Sequence, residues 1–292
     1  MRIAIVYSPI RRVGSTYIQY QLITEGLQEN GVKVDTYDTF TDDLTQYDVL
    51  IWWMPFRTPE FENFIHAKKR YTKLQLLFNP IDTNSLSEFV KKRLKYNIDL
   101  IITPSTHNYE LFMKEGFNPL LLPHAIHENI DEVQCELNDD RYYIETRSFP
   151  YRRGTDIALQ YDVKVITAVQ YVENHNAFLK VMCKAGNMII PARGGAFEIQ
   201  ALEALALGMK VYYSQRKIFD YIIDFKPTFE IRGEYCKTEY LNDIYQVGCY
   251  DNVIKAKTLP ELPKPNRKHY LALYNQFMIA RRLMEEIMKH ET

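Results

Sequence analysis

The segment Met188–Val211, MIIPARGGAFEIQALEALALGMKV, carries the sharpest chemical signal in the chain. An apolar strand ends at Pro191, a small-residue loop of Arg193, Gly194, Gly195 and Ala196 follows, and a helix starts near Phe197 with Glu203 inside its apolar run. A loop of this kind turns backbone N–H groups outward at a helix N-terminus, which suits an anion such as a diphosphate. A carboxylate among Leu202, Ala204, Leu205 and Ala206 is costly to bury alone, and a ribose diol would satisfy it. The pattern by itself fits a plain βα turn with Glu203 on a solvated face equally well. A second basic segment, Tyr143–Gly154 (YIETRSFPYRRG), offers Arg147, Arg152 and Arg153. Guanidinium forks match phosphate oxygens and neutralise the charge of a departing diphosphate. A solvated basic turn is the competing reading of Arg152-Arg153.

Other groups give weaker signals. Tyr7–Tyr17 (YSPIRRVGSTY) places Gly14 where a backbone could approach a substrate closely, but it is not a G-x-G-x-x-G fingerprint. His107, His124 and His175 read as surface or capping residues, with His124, near the end of the first domain, the best placed for a site. Cys135, Cys183, Cys236 and Cys249 form no C-x-x-C pair and have no matching histidine spacing, so they read as thiols of a reducing compartment rather than zinc ligands. Basic clusters at Lys68-Lys69-Arg70 and Lys91-Lys92-Arg93, interleaved with Tyr71, Phe89 and Tyr96, read as solvated helix faces that could touch an anionic membrane or a glycan carrier.

Alternating strand and helix patterns must position these groups. Strands are expected at Arg2–Tyr7, Val32–Tyr37, Asp48–Trp53, Leu74–Phe78, Leu100–Thr103 and from Leu120, with helices between them, so residues 1–126 form one Rossmann-like domain with a parallel sheet. The polar, acidic stretch 127–140 reads as a linker. Strands at Tyr142–Thr146, Lys164–Val169, Met188–Pro191 and Lys210–Tyr213 make residues 141–264 a second such domain. Beyond the Pro-rich break at Leu259–Pro265, one long amphipathic helix is expected over Lys268–Lys289, within a terminal segment 265–292.

A length of 292 residues suits two domains, and 46% hydrophobic residues with 25% charged residues exclude a disordered chain. The net charge of −1 and the lack of a basic stripe argue against nucleic acid. No apolar run reaches the roughly 20 residues of a membrane span, and the N-terminus lacks a signal-peptide pattern, so a cytoplasmic protein is expected. Scarce glycine, 11 residues, fits short loops and a thermophilic source.

The Pro191–Gly208 segment resembles the family 4 retaining glycosyltransferases, whose two Rossmann-like α/β/α domains face a central cleft in the GT-B architecture. Leu202-Glu203-Ala204-Leu205-Ala206-Leu207-Gly208 matches the family's LEA-x-A-x-G tail. Arg147 and Arg153-Gly154 match its Arg and Lys-Gly, with Arg152 as the alternative to Arg153. The first of the family's two glutamates falls on Gly195 and its Pro on Gln200; Glu198 lies three residues late and is not assigned that role. Leu100–Ile126 resembles the last unit of a GT-B N-terminal domain. The resemblance implies a hexosyltransferase-like enzyme that moves a sugar from a nucleotide-diphosphate donor with retention. It has no metal and no cofactor beyond that co-substrate. Arg147 and Arg153 would hold the diphosphate, helped by Gly194 and Gly195, with Ala196 and Phe197 beside them. Glu203 would bind the ribose, Asn79 would lie near the reacting sugar, and Gly14 would sit in the acceptor-side loop. The terminal helix would pack back on the N-terminal domain. The acceptor is an unspecified glycan, lipid or protein, and a monomer or homodimer is expected. An inactive sugar-nucleotide or glycan binder and a GT-B epimerase are the competing readings.

Overall fold

The computed structural model describes residues 1–7, 15–37, 42–53, 72–78, 80, 82–86, 91, 98–145, 150–167, 174–241 and 244–291. The expected site residues Gly14, Asn79 and Arg147 lie outside them, as does most of the two basic clusters. The chain divides into two compact units. The first comprises Met1–Ile81, Leu86–Ala125 and Tyr274–Thr292; the second comprises Asp82–Ser85 and Ile126–Leu273.

The first unit holds a six-stranded parallel sheet in the order β2-β1-β3-β4-β5-β6, formed by β1 (Arg2–Val6), β2 (Lys33–Tyr37), β3 (Val49–Trp52), β4 (Leu74–Phe78), β5 (Leu100–Thr103) and β6 (Pro119–Leu121). β1, β3, β4 and β5 are nearly continuous apolar runs, as strands covered on both faces must be. Helix α1 (Ser15–Glu29) is pinned by Gln19, whose side-chain amide exchanges two hydrogen bonds of 2.7 Å with the Ala125 backbone. Helix α2 (Thr106–Lys114) starts on a Ser105 cap.

The second unit holds a four-stranded parallel sheet in the order β10-β9-β7-β8, from β7 (Arg141–Glu145), β8 (Lys164–Thr167), β9 (Asn187–Ile190) and β10 (Lys210–Tyr213). Its helices are α3 (Pro150–Arg153), α4 (Thr155–Ala158), α5 (His175–Met182) and α6 (Ile199–Ala206). The strand positions in both units agree with the sequence pattern to within a residue or two.

Three features differ from the sequence-based expectation. The terminal amphipathic stripe is two helices, α7 (Arg267–Tyr274) and α8 (Gln276–Glu291), because Asn275 interrupts it and caps α8: its side-chain oxygen accepts from the Met278 N–H at 2.9 Å. Helix α8 belongs to the first unit and runs against α1, where the Gln276 amide donates to Glu29 at 2.6 Å. Second, an antiparallel hairpin, β11 (Glu230–Leu241) and β12 (Ile244–Ile254), stands apart from the second sheet. Its residues 232–236 are exposed, so no apolar alternation announces it. Third, the cysteines are not free thiols: Cys135 bonds Cys183, and Cys236 bonds Cys249 across the hairpin. Among the described residues no helix is long and apolar enough to cross a membrane.

The Cys135–Cys183 bond spans 48 residues, and closing a loop of that size restricts the unfolded chain by about 4 kcal/mol. Cys135→Ser with Cys183→Ser is therefore expected to lower unfolding stability by up to about 4 kcal/mol. Denaturant midpoints with and without reductant test this; a wild type that loses nothing on reduction would contradict the staple.

Candidate active site on the second unit

Open parallel sheets bind ligands beyond the carboxyl ends of their strands, where the strand order reverses. In the second unit the chain runs outward from β7 to β8, then returns to place β9 on the other side of β7. The segments that leave β7 and β9 are the two singled out by their chemistry: the Arg152-Arg153 turn and the loop 191–196.

Backbone contacts bind them together. The Arg193 and Gly194 N–H groups both donate to the Arg152 carbonyl, at 2.8 and 3.1 Å. Gly154 is left-handed, with φ of 71°, and a Cβ there would sit 2.1 Å from the Pro191 carbonyl oxygen, so the turn closes on the loop only with glycine. Arg193 is more than a loop residue; it is a buried brace that grips Asp156 with two bonds of 2.5 and 2.8 Å, donates to the Tyr151 carbonyl at 3.0 Å, and stacks on the Tyr151 ring.

Onto this frame the structure assembles charges. Arg153 donates to Glu198, and Arg152 donates to Asp82. Glu198 is buried, and burial pushes its carboxyl above the ordinary range, while the Arg153 and Arg152 charges pull against that shift. Gly195 takes φ of 145°, and a Cβ built there would meet the Glu198 Oε1 at 2.7 Å. The Glu198 carboxylate thus lies against the position of the absent family glutamate, although it starts three residues later. A spacing rule misses it; the available signal is a glutamate at a helix start, shortly after a small-residue loop. Arg216 is buried against Asp251, and burial lowers its guanidinium value. Its Nη1 and the Arg153 Nε have no hydrogen-bond partner among the described residues.

Glu203 is buried rather than on a solvated face. His175, the first residue of α5, donates from Nε2 to its Oε1 at 2.7 Å, and Oε2 has no partner among the described residues. Phe197 stacks on Tyr221 at 4.6 Å, and the Tyr221 hydroxyl donates to the Glu198 carbonyl at 2.7 Å, so Phe197 serves as a wall. The Gly194 amide, expected at the diphosphate, is consumed by Arg152; those of Gly195 and Ala196 donate to Asp82, at its carbonyl and its Oδ1, each at 3.0 Å. The second unit therefore brings together Arg152, Arg153, Gly194, Gly195, Ala196 and Phe197, and holds Glu203 further along the same helix. His124 is buried in the first unit near Phe78, and burial lowers its value to about 3, so it stays neutral at ordinary pH. The one group of metal-ligand atoms found close together among the described residues is Glu234, Cys236 and Cys249, and its sulfurs are joined in the disulfide.

No protein-family model matches the chain. It is similar to "Putative glycosyltransferase 45" of Sulfolobus islandicus filamentous virus (isolate Iceland/Hveragerdi), with 22% identity over 312 aligned positions that span 88% of this chain and 85% of the viral one. Among solved structures, sucrose-phosphate synthase from Thermosynechococcus elongatus superposes with a TM-score of 0.62 at 12% identity, covering 99% of both chains. An alpha-glucosyltransferase in complex with UDP gives a TM-score of 0.51 at 10% identity over 74% of this chain and 80% of its own. Identities this low speak to fold, and the fold is GT-B: α/β, with a parallel sheet in each of two units.

Two predictions follow from the charge pairs. Arg153→Ala would strand a buried carboxylate, a loss of about 3–5 kcal/mol in urea unfolding, and adding Glu198→Gln should recover part of it. The Glu203 charge, opposed by burial, raises the His175 value above the ordinary 6.5. The stability from this pair is complete below the unfolded-state value and fades as pH rises through the higher folded-state one. Wild type should therefore lose stability relative to His175→Gln from about pH 6 upward. Parallel pH profiles for the two proteins would refute the pairing.

Proposed function

We propose that the protein is a glycosyltransferase that uses a nucleotide-diphosphate sugar as donor, bound on the second unit. The observation that carries the reading is Glu203: a carboxylate buried in an apolar helix, fixed by His175 through one oxygen and with the other lacking a partner among the described residues. A buried acceptor of this kind calls for a hydroxyl donor, and a ribose diol is the matching chemistry. At the start of the same helix, the Ala196 N–H and the Arg152 and Arg153 guanidiniums supply the contacts that a diphosphate needs. The viral relative is described as a glycosyltransferase, and the structural neighbour cited above holds UDP, which supports a nucleotide donor.

In the proposed reaction the bond between the sugar C1 and the diphosphate oxygen breaks, C1 bonds an acceptor hydroxyl oxygen on the same face, and the hydroxyl proton passes to the leaving diphosphate. Arg153 and Arg152, with Arg147, offset the negative charge that accumulates on the leaving diphosphate, without a metal ion. Glu198 supplies a carboxylate beside Gly195, where the family pattern has its first glutamate. Gly14 would belong to the acceptor-side loop, and Asn79 would lie near the reacting sugar. We assign the protein to the cytoplasm; since intracellular disulfides persist in hyperthermophilic archaea and bacteria, that assignment goes with a source of this kind. The acceptor is a glycan, lipid or protein hydroxyl, and a peripheral membrane contact would bring a lipid-linked one within reach.

A thermal-shift panel of UDP, GDP, ADP and their sugars tests the donor. A ligand at 100 times its dissociation constant adds about 2.7 kcal/mol of stability. Glu203→Ala should lose the shift from nucleotides but keep a response to pyrophosphate. If Glu203→Ala retains full nucleotide affinity, the ribose assignment fails. Release of free sugar from the bound donor, followed by NMR, separates a transferase from a protein that only binds.

A further inference from the structure

The segment Asp82–Ser85 follows β4 in sequence yet packs entirely with the second unit. It is clipped there through Asn84: the Asn84 N–H donates to the Cys249 carbonyl at 3.0 Å, its amide donates to Asp251 at 3.0 Å, and Arg216 donates back to Asn84 at 3.3 Å. The clip delivers Asp82 to the cradle. Asp82 Oδ1 accepts from the Ala196 N–H at 3.0 Å, Oδ2 accepts from Arg152, and the Asp82 carbonyl accepts from the Gly195 N–H at 3.0 Å. A backbone amide at a helix-start loop together with a guanidinium is the contact set of a bound phosphate.

We propose that Asp82 is a built-in surrogate for a ligand phosphate: its carboxylate occupies the anion seat formed by Ala196 and Arg152, and a diphosphate binds by displacing it. This deepens the donor-site reading and rests on it. Exposure decides which group can leave. The Asp82 side chain is 42% exposed, whereas those of Arg152 and Glu198 are 12% and 2% exposed. The carboxylate is the outermost member of the network, and its departure returns it to water while the seat stays formed. The surrogate also selects by charge. A singly charged ligand only replaces the charge that Asp82 already supplies, whereas a diphosphate brings more and can use Arg153 as well.

The test is calorimetric titration of pyrophosphate and of UDP into wild type, Asp82→Asn, Asp82→Ala, Arg152→Ala and the double variant Asp82→Asn with Arg152→Ala. Removing an internal competitor should tighten pyrophosphate binding about tenfold or more, about 1.4 kcal/mol. The gain should vanish in the double variant, because the seat is then incomplete. A brace that merely holds the loop predicts the opposite sign. Equal or weaker binding by folded Asp82→Asn and Asp82→Ala overturns the proposal while leaving the donor site in place. Should neither Asp82 variant fold, Asn84→Ala unclips the segment and keeps the carboxylate. It should tighten pyrophosphate severalfold, and unchanged binding there overturns the proposal. Absence of pyrophosphate and UDP binding in every protein, wild type included, would sink the donor-site reading together with the surrogate.

Discussion

Glu198 stands at the N-cap of one short helix and Glu203 lies within it, both almost wholly withdrawn from water, and the second unit is organised around balancing them. An ionised carboxylate at such depth is unfavourable by several kcal/mol unless a cation and hydrogen bonds accompany it. Each draws its partner from a different part of the chain. Arg153 comes from the turn after β7, and His175 from the start of α5. Three separate strand-to-helix connections are thereby tied together at the carboxyl edge of one sheet. Replacing these pairs with apolar residues would pack as well or better. Their place at the reversal of strand order fits the proposed donor site.

The backbone must be placed before the charges can meet. Arg193 grips Asp156 and the Tyr151 carbonyl, while its own N–H and that of Gly194 hold the Arg152 carbonyl. Arg152 and Arg153 are thus presented by a turn fixed at several points, which would leave little ordering for the proposed diphosphate to impose. The hairpin adds a further hold, since the Asp251 N–H donates to the Arg193 carbonyl at 3.0 Å and Tyr250 is buried against Gly194. A net charge of −1 over the whole chain conceals this local concentration of guanidinium groups.

The strands of both sheets and the 191–208 segment were legible because their signals are local: apolar runs bounded by Gly and Pro, and a glutamate set in an apolar helix. Long-range pairings were not legible. Nothing near His175 in sequence announces Glu203, and Asp82 reads as an ordinary loop acid 70 residues before Arg152. The hairpin escaped because its stretch 232–236 is exposed throughout and lacks apolar alternation. The cysteines escaped because their spacing fits no short motif and pairing depends on which strands become neighbours. The broken terminal helix illustrates a different limit: the apolar stripe continues through Asn275, and only the cap it forms shows where one helix ends and the next begins.

In the proposed donor site, Gly195 and Glu198 offer a way to replace a missing side chain from the next turn. The backbone at 195 has φ of 145°, a region in which an L side chain is strained, so a glutamate there would first require a different loop. With glycine, the N–H at 195 reaches the Asp82 carbonyl, and the space above its Cα is left for a carboxylate from Glu198. That carboxylate starts at the helix N-terminus, where the backbone dipoles favour negative charge. Starting three residues along, the acid brings its carboxylate to the point where a Cβ at 195 would stand. It does so from a rigid helix end rather than a flexible loop, and the Arg153 pair then fixes its direction.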